Sequence, residues 1–409
     1  MPVFLRGVVG LYLAASSFAL AANDAYLELG KTGLEPRELA VVVNDADPLS
    51  RQIGDYYLER RGIPKENLIH VRLPVTVSNL PAEQFKPIKE SIDRQTGAHI
   101  QAYALAWTQP YRVDCMSITS AVALGFDRAY CSASGCTQTK PSGYFNSSSH
   151  APYSDHHLRP AMLLAGKNMD EVRKLIDRGI ASDHTFPTGT GYMLSTWDKK
   201  RSVRSVLFKE SVKLLGDAFH LQDLDANSIS DKQDVLFYFI GRANVPNLSS
   251  LRFIPGGFAD HLTSAGGQLT DSYQMSSLRF LEAGATASYG AVVEPCNLLE
   301  KFPHPGVAIW RYAEGNTLIE AYWKSVLTPG EGVFIGEPLA KPFGPVTLRD
   351  SGGQVTLRMF APQAKNVTLE SAESGLGPYR PKQIYPVKAG LNAINLSVPN
   401  LSEYYRVKF

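Results

Sequence analysis

Short apolar runs alternate with amphipathic stretches along most of this chain. Leu39-Ala-Val-Val-Val-Asn44, Leu68-Ile-His-Val-Arg-Leu73, Ile100 to Trp107, Met162 to Ala165, Gly191 to Thr196 and Val235-Leu-Phe-Tyr-Phe-Ile240 read as strands covered on both faces. Helix signals lie between them. Asp47 suits an N-cap and Pro48 the first helical position, with a stop before Gly62. Ala82–Arg94, Met169–Arg178 and Val203–Leu215 carry helical patterns. A further strand near Leu251–Ile254 leads to Pro255-Gly256-Gly257, and another ends at Glu294-Pro295. Repeated strand–helix units predict an α/β protein, a doubly wound and mostly parallel sheet.

The pattern changes after Pro342-Phe343-Gly344-Pro345. Short alternating runs separated by Gly, Pro, Asn and Ser, with no helix signal, predict a small C-terminal β-sandwich over 346–409. The α/β domain is expected over 22–345, and no internal repeat is visible. At the other end, Arg6 is the only charge before Asp24, and the apolar run Val8–Leu20 ends in Ala19-Leu20-Ala21. That is the pattern of a secretory signal peptide, 1–21, cleaved near Ala21. The mature chain is expected to be exported, periplasmic or extracellular. No later run is apolar enough for a membrane anchor.

A formal charge of +2 gives no electrostatic reason to expect nucleic acid or an acidic membrane surface. The four cysteines of an exported chain favour two disulfides. Three pairings are open; the short spacing of Cys131 and Cys136 suits a local staple, which leaves Cys115 to meet Cys296.

Chemistry in an open sheet sits at the carboxyl ends of strands. Arg242, Asp260, His261 and Glu294 lie at or near such ends. A His beside an acid suits an acid/base pair as well as a structural one. Cys296 with His304 or His261 nearby would make a thiol nucleophile, unless it is half of a disulfide. The cluster Trp197-Asp198-Lys199-Lys200-Arg201-Ser202-Val203-Arg204 reads first as a capped, solvated helix start; alternatively it supplies Arg201 and Arg204, with Arg242, as cationic forks for a carboxylate. Asp155-His156-His157 lacks a metal-ligand spacing and reads as loop surface, so no metal is expected. Gly189-Thr190-Gly191 precedes a strand, the wrong order for a phosphate loop, and no cofactor is expected.

Two blocks near the start, Val41–Ser50 and Tyr56–Pro64, resemble a family of exported bacterial proteins. Leu175–Gly179, Gly284-Ala285-Thr286, Glu294-Pro295 and Gly336-Glu337-Pro338-Leu339 resemble its later blocks. That family occurs in genomes carrying exosortase, the membrane transpeptidase proposed to sort proteins with a PEP-CTERM tail. The order of the final third is also similar to gingipain-type, caspase-like cysteine peptidases. These place a His after a Gly at one strand end, a Cys at the next, and append an immunoglobulin-like domain. Here Arg242 follows Gly241, and no Cys follows the next predicted strand. The resemblance therefore implies a peptidase scaffold without its dyad, handling a polypeptide or envelope protein. An active hydrolase of the envelope, or a structural protein docking through its sandwich, are the competing expectations.

Overall fold

A computed structural model describes residues 26–132, 136–270, 272–398 and 403–409. The expected signal segment lies outside the described residues. Ten strands form one sheet: β1 Leu39–Asn44, β2 Leu68–Val71, β3 Ala102–Leu105, β4 Ala161–Leu163, β5 Thr190–Ser195, β6 His220–Asp225, β7 Val235–Ile240, β8 Phe253–His261, β9 Ala287–Ala291 and β10 Gly332–Gly336. Their spatial order is β6-β5-β7-β8-β9-β10-β4-β3-β1-β2. Neighbours are parallel throughout, except that β9 and β10 pair antiparallel.

That one antiparallel seam divides the sheet into two parallel halves. The first is β2-β1-β3-β4-β10 and the second β6-β5-β7-β8-β9. Each half, counted in its own strands, has the spatial order second-first-third-fourth-fifth. The second half is inserted between the fourth and fifth strands of the first. A topological repeat thus exists that the sequence does not reveal. One local detail repeats with it. The amide of Asn44, closing β1, donates to Ser50 Oγ at 2.8 Å, and the amide of Thr196, just after β5, donates to Ser202 Oγ at 2.8 Å. Both bonds tie a strand end to the helical turn that follows. Because the halves run in opposite directions, their carboxyl ends open on opposite edges of the sheet.

Burial on both faces explains the apolar runs. In β1, Leu39, Val41 and Val43 enter a core that spans the whole sheet, and that core also holds Met193, Phe237, Phe258 and Phe334. Ala40 and Val42 face the opposite side. That side is split into two cores, one per half, the second built on Tyr192, Tyr238 and Ile240. The helix Pro48–Arg61 starts as expected, with Asp47 accepting from Leu49 N at 2.9 Å. It ends at Gly62, whose φ of 62° an L residue adopts only at a cost.

Several elements differ from expectation. β8 runs on to His261, so Pro255-Gly256-Gly257 lies inside a strand. A register shift against β7 absorbs it: Val235 pairs with Phe253 and Phe237 with Phe258. β9 stops at Ala291, which leaves Glu294 and Pro295 in the loop beyond. β6 has charged residues on one face because it is the sheet's edge. The stretch 203–215 starts as a 3-10 helix, Ser202–Leu207, and becomes α-helical at Phe208–Leu215.

Two smaller sheets follow. Val346–Arg349, Val355–Ala361 and Gly390–Leu396 form one; Tyr26–Leu29, Tyr404–Lys408, Lys365–Ala372 and Arg380–Val387 form the other. Their apolar residues share one cluster, including Leu357, Val367, Leu369 and Val407. Tyr26–Leu29 pairs parallel with Tyr404–Lys408, so the first described strand joins the C-terminal unit. The segment Pro342–Pro345 is not a loose linker. Phe343 is 1% exposed and packs on Phe219 and Phe360, with ring centroids 5.4 and 4.8 Å apart. No helix among the described residues is long and apolar enough to cross a membrane.

Two outcomes follow for the small sheets. Native protein should resist proteolytic cleavage at 342–345, because the backbone there is held by a buried aromatic cluster. Deletion of residues 22–30 should lower the melting temperature by about 5 °C or more, since it strips a strand from the sheet. Calorimetry together with mapping of proteolytic fragments checks both.

Candidate functional site

The carboxyl ends of β5, β7 and β8 meet at one edge of the second half-sheet. Beyond β5 come Trp197 and Asp198, beyond β7 Gly241 and Arg242, and beyond β8 Thr263. Gly241 can have no side chain: a Cβ there would lie 2.1 Å from the Arg201 carbonyl oxygen. This close approach packs the Arg201 turn onto the end of β7. Arg201 Nε then donates to Thr263 Oγ1 at 3.0 Å, and its Nη1 pairs with Asp198 at 2.9 Å. Thr263 donates onward to Gln274 Oε1 at 2.6 Å, which also accepts the Ala265 amide at 2.8 Å. Arg242 donates to the Asn227 carbonyl at 3.3 Å and has no carboxylate partner among the described residues. Its guanidinium carbon lies 5.9 Å from the centre of the Trp197 ring, which is 71% exposed. Beside this edge opens a cleft of about 540 Å³ lined by Asn244, Ser249, Ser272, Gln274, Met275 and Arg279, among others.

The expected acid/base residues stand behind this surface and do not reach it. Asp260 and His261 are both fully buried, on opposite faces of β8. Asp260 Oδ1 lies 2.5 Å from Nη1 of buried Arg204. Yet neither carboxylate oxygen receives an aligned hydrogen bond. The pair is thus held by proximity of charge rather than by a well-directed bond. Burial pushes the Asp260 carboxyl up to about 6, against the opposing pull of Arg204. Arg204 is therefore consumed inside the core and is not a fork for a ligand, contrary to the sequence expectation.

His261 Nδ1–H donates to the Arg242 carbonyl at 3.0 Å, while Nε2 has no hydrogen-bond partner among the described residues. Gly266 closes over that nitrogen: a Cβ there would come within 2.7 Å of it. Burial lowers the imidazole to about 4, so it is neutral and sealed from solvent. His304 caps the helix Pro305–Ala313, its Nδ1 accepting from Val307 N at 3.3 Å, and burial lowers its pKa as well. Glu294 is exposed and accepts the Cys296 amide at 2.8 Å. These residues are not gathered in one cleft.

The cysteines close the thiol question. Cys115 pairs with Cys131 and Cys136 with Cys296, so all four are bonded. The expected Cys131–Cys136 staple is wrong. The 3-10 turn Arg128–Tyr130 folds back onto the hairpin Arg112–Ser117, where the Asp127 amide meets Met116 Sδ at 3.3 Å. This brings Cys131 to within 5.6 Å of Cys115, Cα to Cα. Cys136 is left to anchor its loop to Cys296, across 160 residues of sequence. Asp155 and His156 bond separately to Ser149 and Ser147. No group of three or more His, Cys, Asp or Glu among the described residues is arranged to hold a metal ion.

The site therefore rests on Arg201 and Arg242 from the expected set, joined by Thr263, Gln274 and Asn227, which sequence reasoning missed. Reading Pro255-Gly256-Gly257 as the end of β8 hid Thr263. No model of a known protein family, no curated protein and no solved structure matches this chain.

The two buried residues respond to pH with opposite signs. His261 in the fold sits at about 4, below its ordinary 6.5. The unfolded chain takes up a proton that the fold refuses, so stability is lost as pH falls from 6.5 toward 4, by about 3 kcal/mol. Asp260, raised from 3.8 to about 6, costs stability above pH 6 and relieves that cost as pH falls. His261→Gln removes only the first contribution. Its urea midpoint should rise relative to that of wild type as pH falls from 6.5 to 4, and parallel curves would refute the assignment. Peptide mapping without reduction should recover Cys115 linked to Cys131 and Cys136 linked to Cys296. Cys136→Ser should cost about 2–5 kcal/mol.

Proposed function

We propose that this protein binds polypeptide at the strand ends of its second half-sheet, using a caspase-like scaffold that carries no working dyad. We further propose that its C-terminal sheets form a β-sandwich, and that it serves the cell envelope of exosortase-carrying bacteria. The observation that carries the binding reading is Arg242. It is a half-buried guanidinium at a strand end, beside exposed Trp197 and a cleft, without a carboxylate of its own among the described residues. A free peptide carboxylate would complete it, in the planar two-point geometry that guanidinium favours.

The chemistry available supports binding over cleavage. In peptidases of this plan the base and the thiol come from neighbouring strand ends. Here those ends offer Gly241-Arg242 and Leu262-Thr263. Thr263 Oγ1 lies against Arg201 and Gln274, with no base to take its proton. His261 is too deeply buried to serve, and Cys296 is spent in a disulfide.

Purified mature protein should bind short peptides with a free C-terminal carboxylate and release no cleavage products. Arg242→Ala should weaken that binding about tenfold or more while shifting the melting temperature by less than about 2 °C. Peptides amidated at the C-terminus should bind as weakly to wild type as free peptides do to the variant. Steady turnover of peptides, or unchanged binding by Arg242→Ala, would overturn the proposal.

A further inference from the structure

A second cleft, of about 520 Å³, lies where the small sheets meet the body of the large one. Lys31, Arg311, Lys365, Arg406 and Lys408 line it, against one acidic side chain, Glu314, with Phe409 beside them. Three of these cations already have acids. Lys31 pairs with Glu38 at 2.6 Å, Arg406 with Glu370 at 2.6 Å, and Arg311 with Glu314 at 2.8 Å. Lys365 and Lys408 have no side-chain partner among the described residues. Lys365 is also half-buried, and the acid that acts on its ammonium, Glu314, is already paired with Arg311.

The floor of the cleft is built and rigid. His150, which lines it, meets the fully buried carboxylate of Glu320 at 3.1 Å. That carboxylate also accepts from Leu34 N at 2.9 Å, Thr317 N at 3.0 Å and Thr317 Oγ1 at 2.6 Å. Glu320 is thus satisfied by the fold and does not answer the two lysines. Arg406 and Lys408 lie on one face of their strand, with Tyr405 and Val407 turned into the core between and beside them. Strand pairing therefore sets Arg406 and Lys408, while Lys365 reaches the cleft from the start of the neighbouring strand Lys365–Ala372.

We propose that this cleft binds a small oxyanion carrying two or more negative groups, carboxylate or phosphate, held between Lys365 and Lys408. The reading is independent of the peptide site, which lies at the far strand ends. Its volume suits a ligand the size of a small metabolite or one or two acidic sugar units.

The test is isothermal calorimetry on the full mature protein at low salt with three probes: pyrophosphate, citrate and digalacturonate. At least one should bind wild type. A preference for pyrophosphate would assign phosphate recognition, and a preference for citrate or digalacturonate would assign carboxylate recognition. Lys365→Ala combined with Lys408→Ala should weaken the bound probe about tenfold or more. Lys408→Ala alone, at an exposed position, should weaken it measurably in a protein with an unchanged melting temperature. Failure of all three probes to bind, or equal binding by wild type and the folded single or double variant, would overturn the proposal.

Discussion

The antiparallel pairing of β9 with β10 sets the polarity of everything on either side of it. Five residue pairs join the halves there, from Ala287–Gly336 to Ala291–Gly332. The pairing tolerates little change. A Cβ on Gly332 would fall 1.7 Å from the Tyr289 hydroxyl, which donates to the Lys301 carbonyl. Gly336 has φ of 146° and lies against Ala287. Because β10 returns to the first half after the whole second half has formed, one continuous core can span both. The same reversal puts the two sets of strand ends on opposite edges, so only the second set forms the Arg242 surface.

Buried charge is concentrated around this seam. Glu331, immediately before β10, pairs with buried Lys301 at 2.8 Å, and Glu337, immediately after it, accepts from Arg61 Nε at 2.9 Å and from the Tyr57 hydroxyl. Such pairs contribute little net stability once desolvation is counted, but losing one partner is costly. Their placement at both ends of β10 fixes its register against alternatives that apolar packing alone would allow. Arg204 and Asp260 do the same for β8. The ionisable groups that looked catalytic from sequence are mostly buried inside the fold, as Asp260 and His261 are. Arg242 differs in reaching solvent with no carboxylate among the described residues to meet it.

Much of the large sheet was legible because strands buried on both faces are uninterrupted apolar runs: Leu39–Asn44 and Val235–Ile240 stand as read. The Asp47-Pro48 start and the Gly62 stop were equally clear, since capping is local chemistry. Strands half exposed at sheet edges were not legible. His220–Asp225 is charged on its outer face, and Arg380–Val387 contains two prolines. Tyr26–Leu29 is too short to announce itself, and its partner lies at the far end of the chain. Pro255-Gly256-Gly257 looked like a stop because turn residues and a bulge share a composition. The cysteine pairing depended on how a loop folds back, which spacing does not encode. The repeated half-sheet left no trace in sequence because what repeats is strand order and one backbone-to-serine bond.

The parallel pairing of Tyr26–Leu29 with Tyr404–Lys408 joins the first and last of the described strands. A chain synthesised from its N-terminus must hold Tyr26–Leu29 unpaired until Tyr404–Lys408 is made. Closing so long a loop costs entropy that only the finished second sheet returns. The small unit therefore acts as a seal on completion: a product truncated before Tyr404 keeps an open strand edge, marking it for capture by proteases or by other unfinished chains.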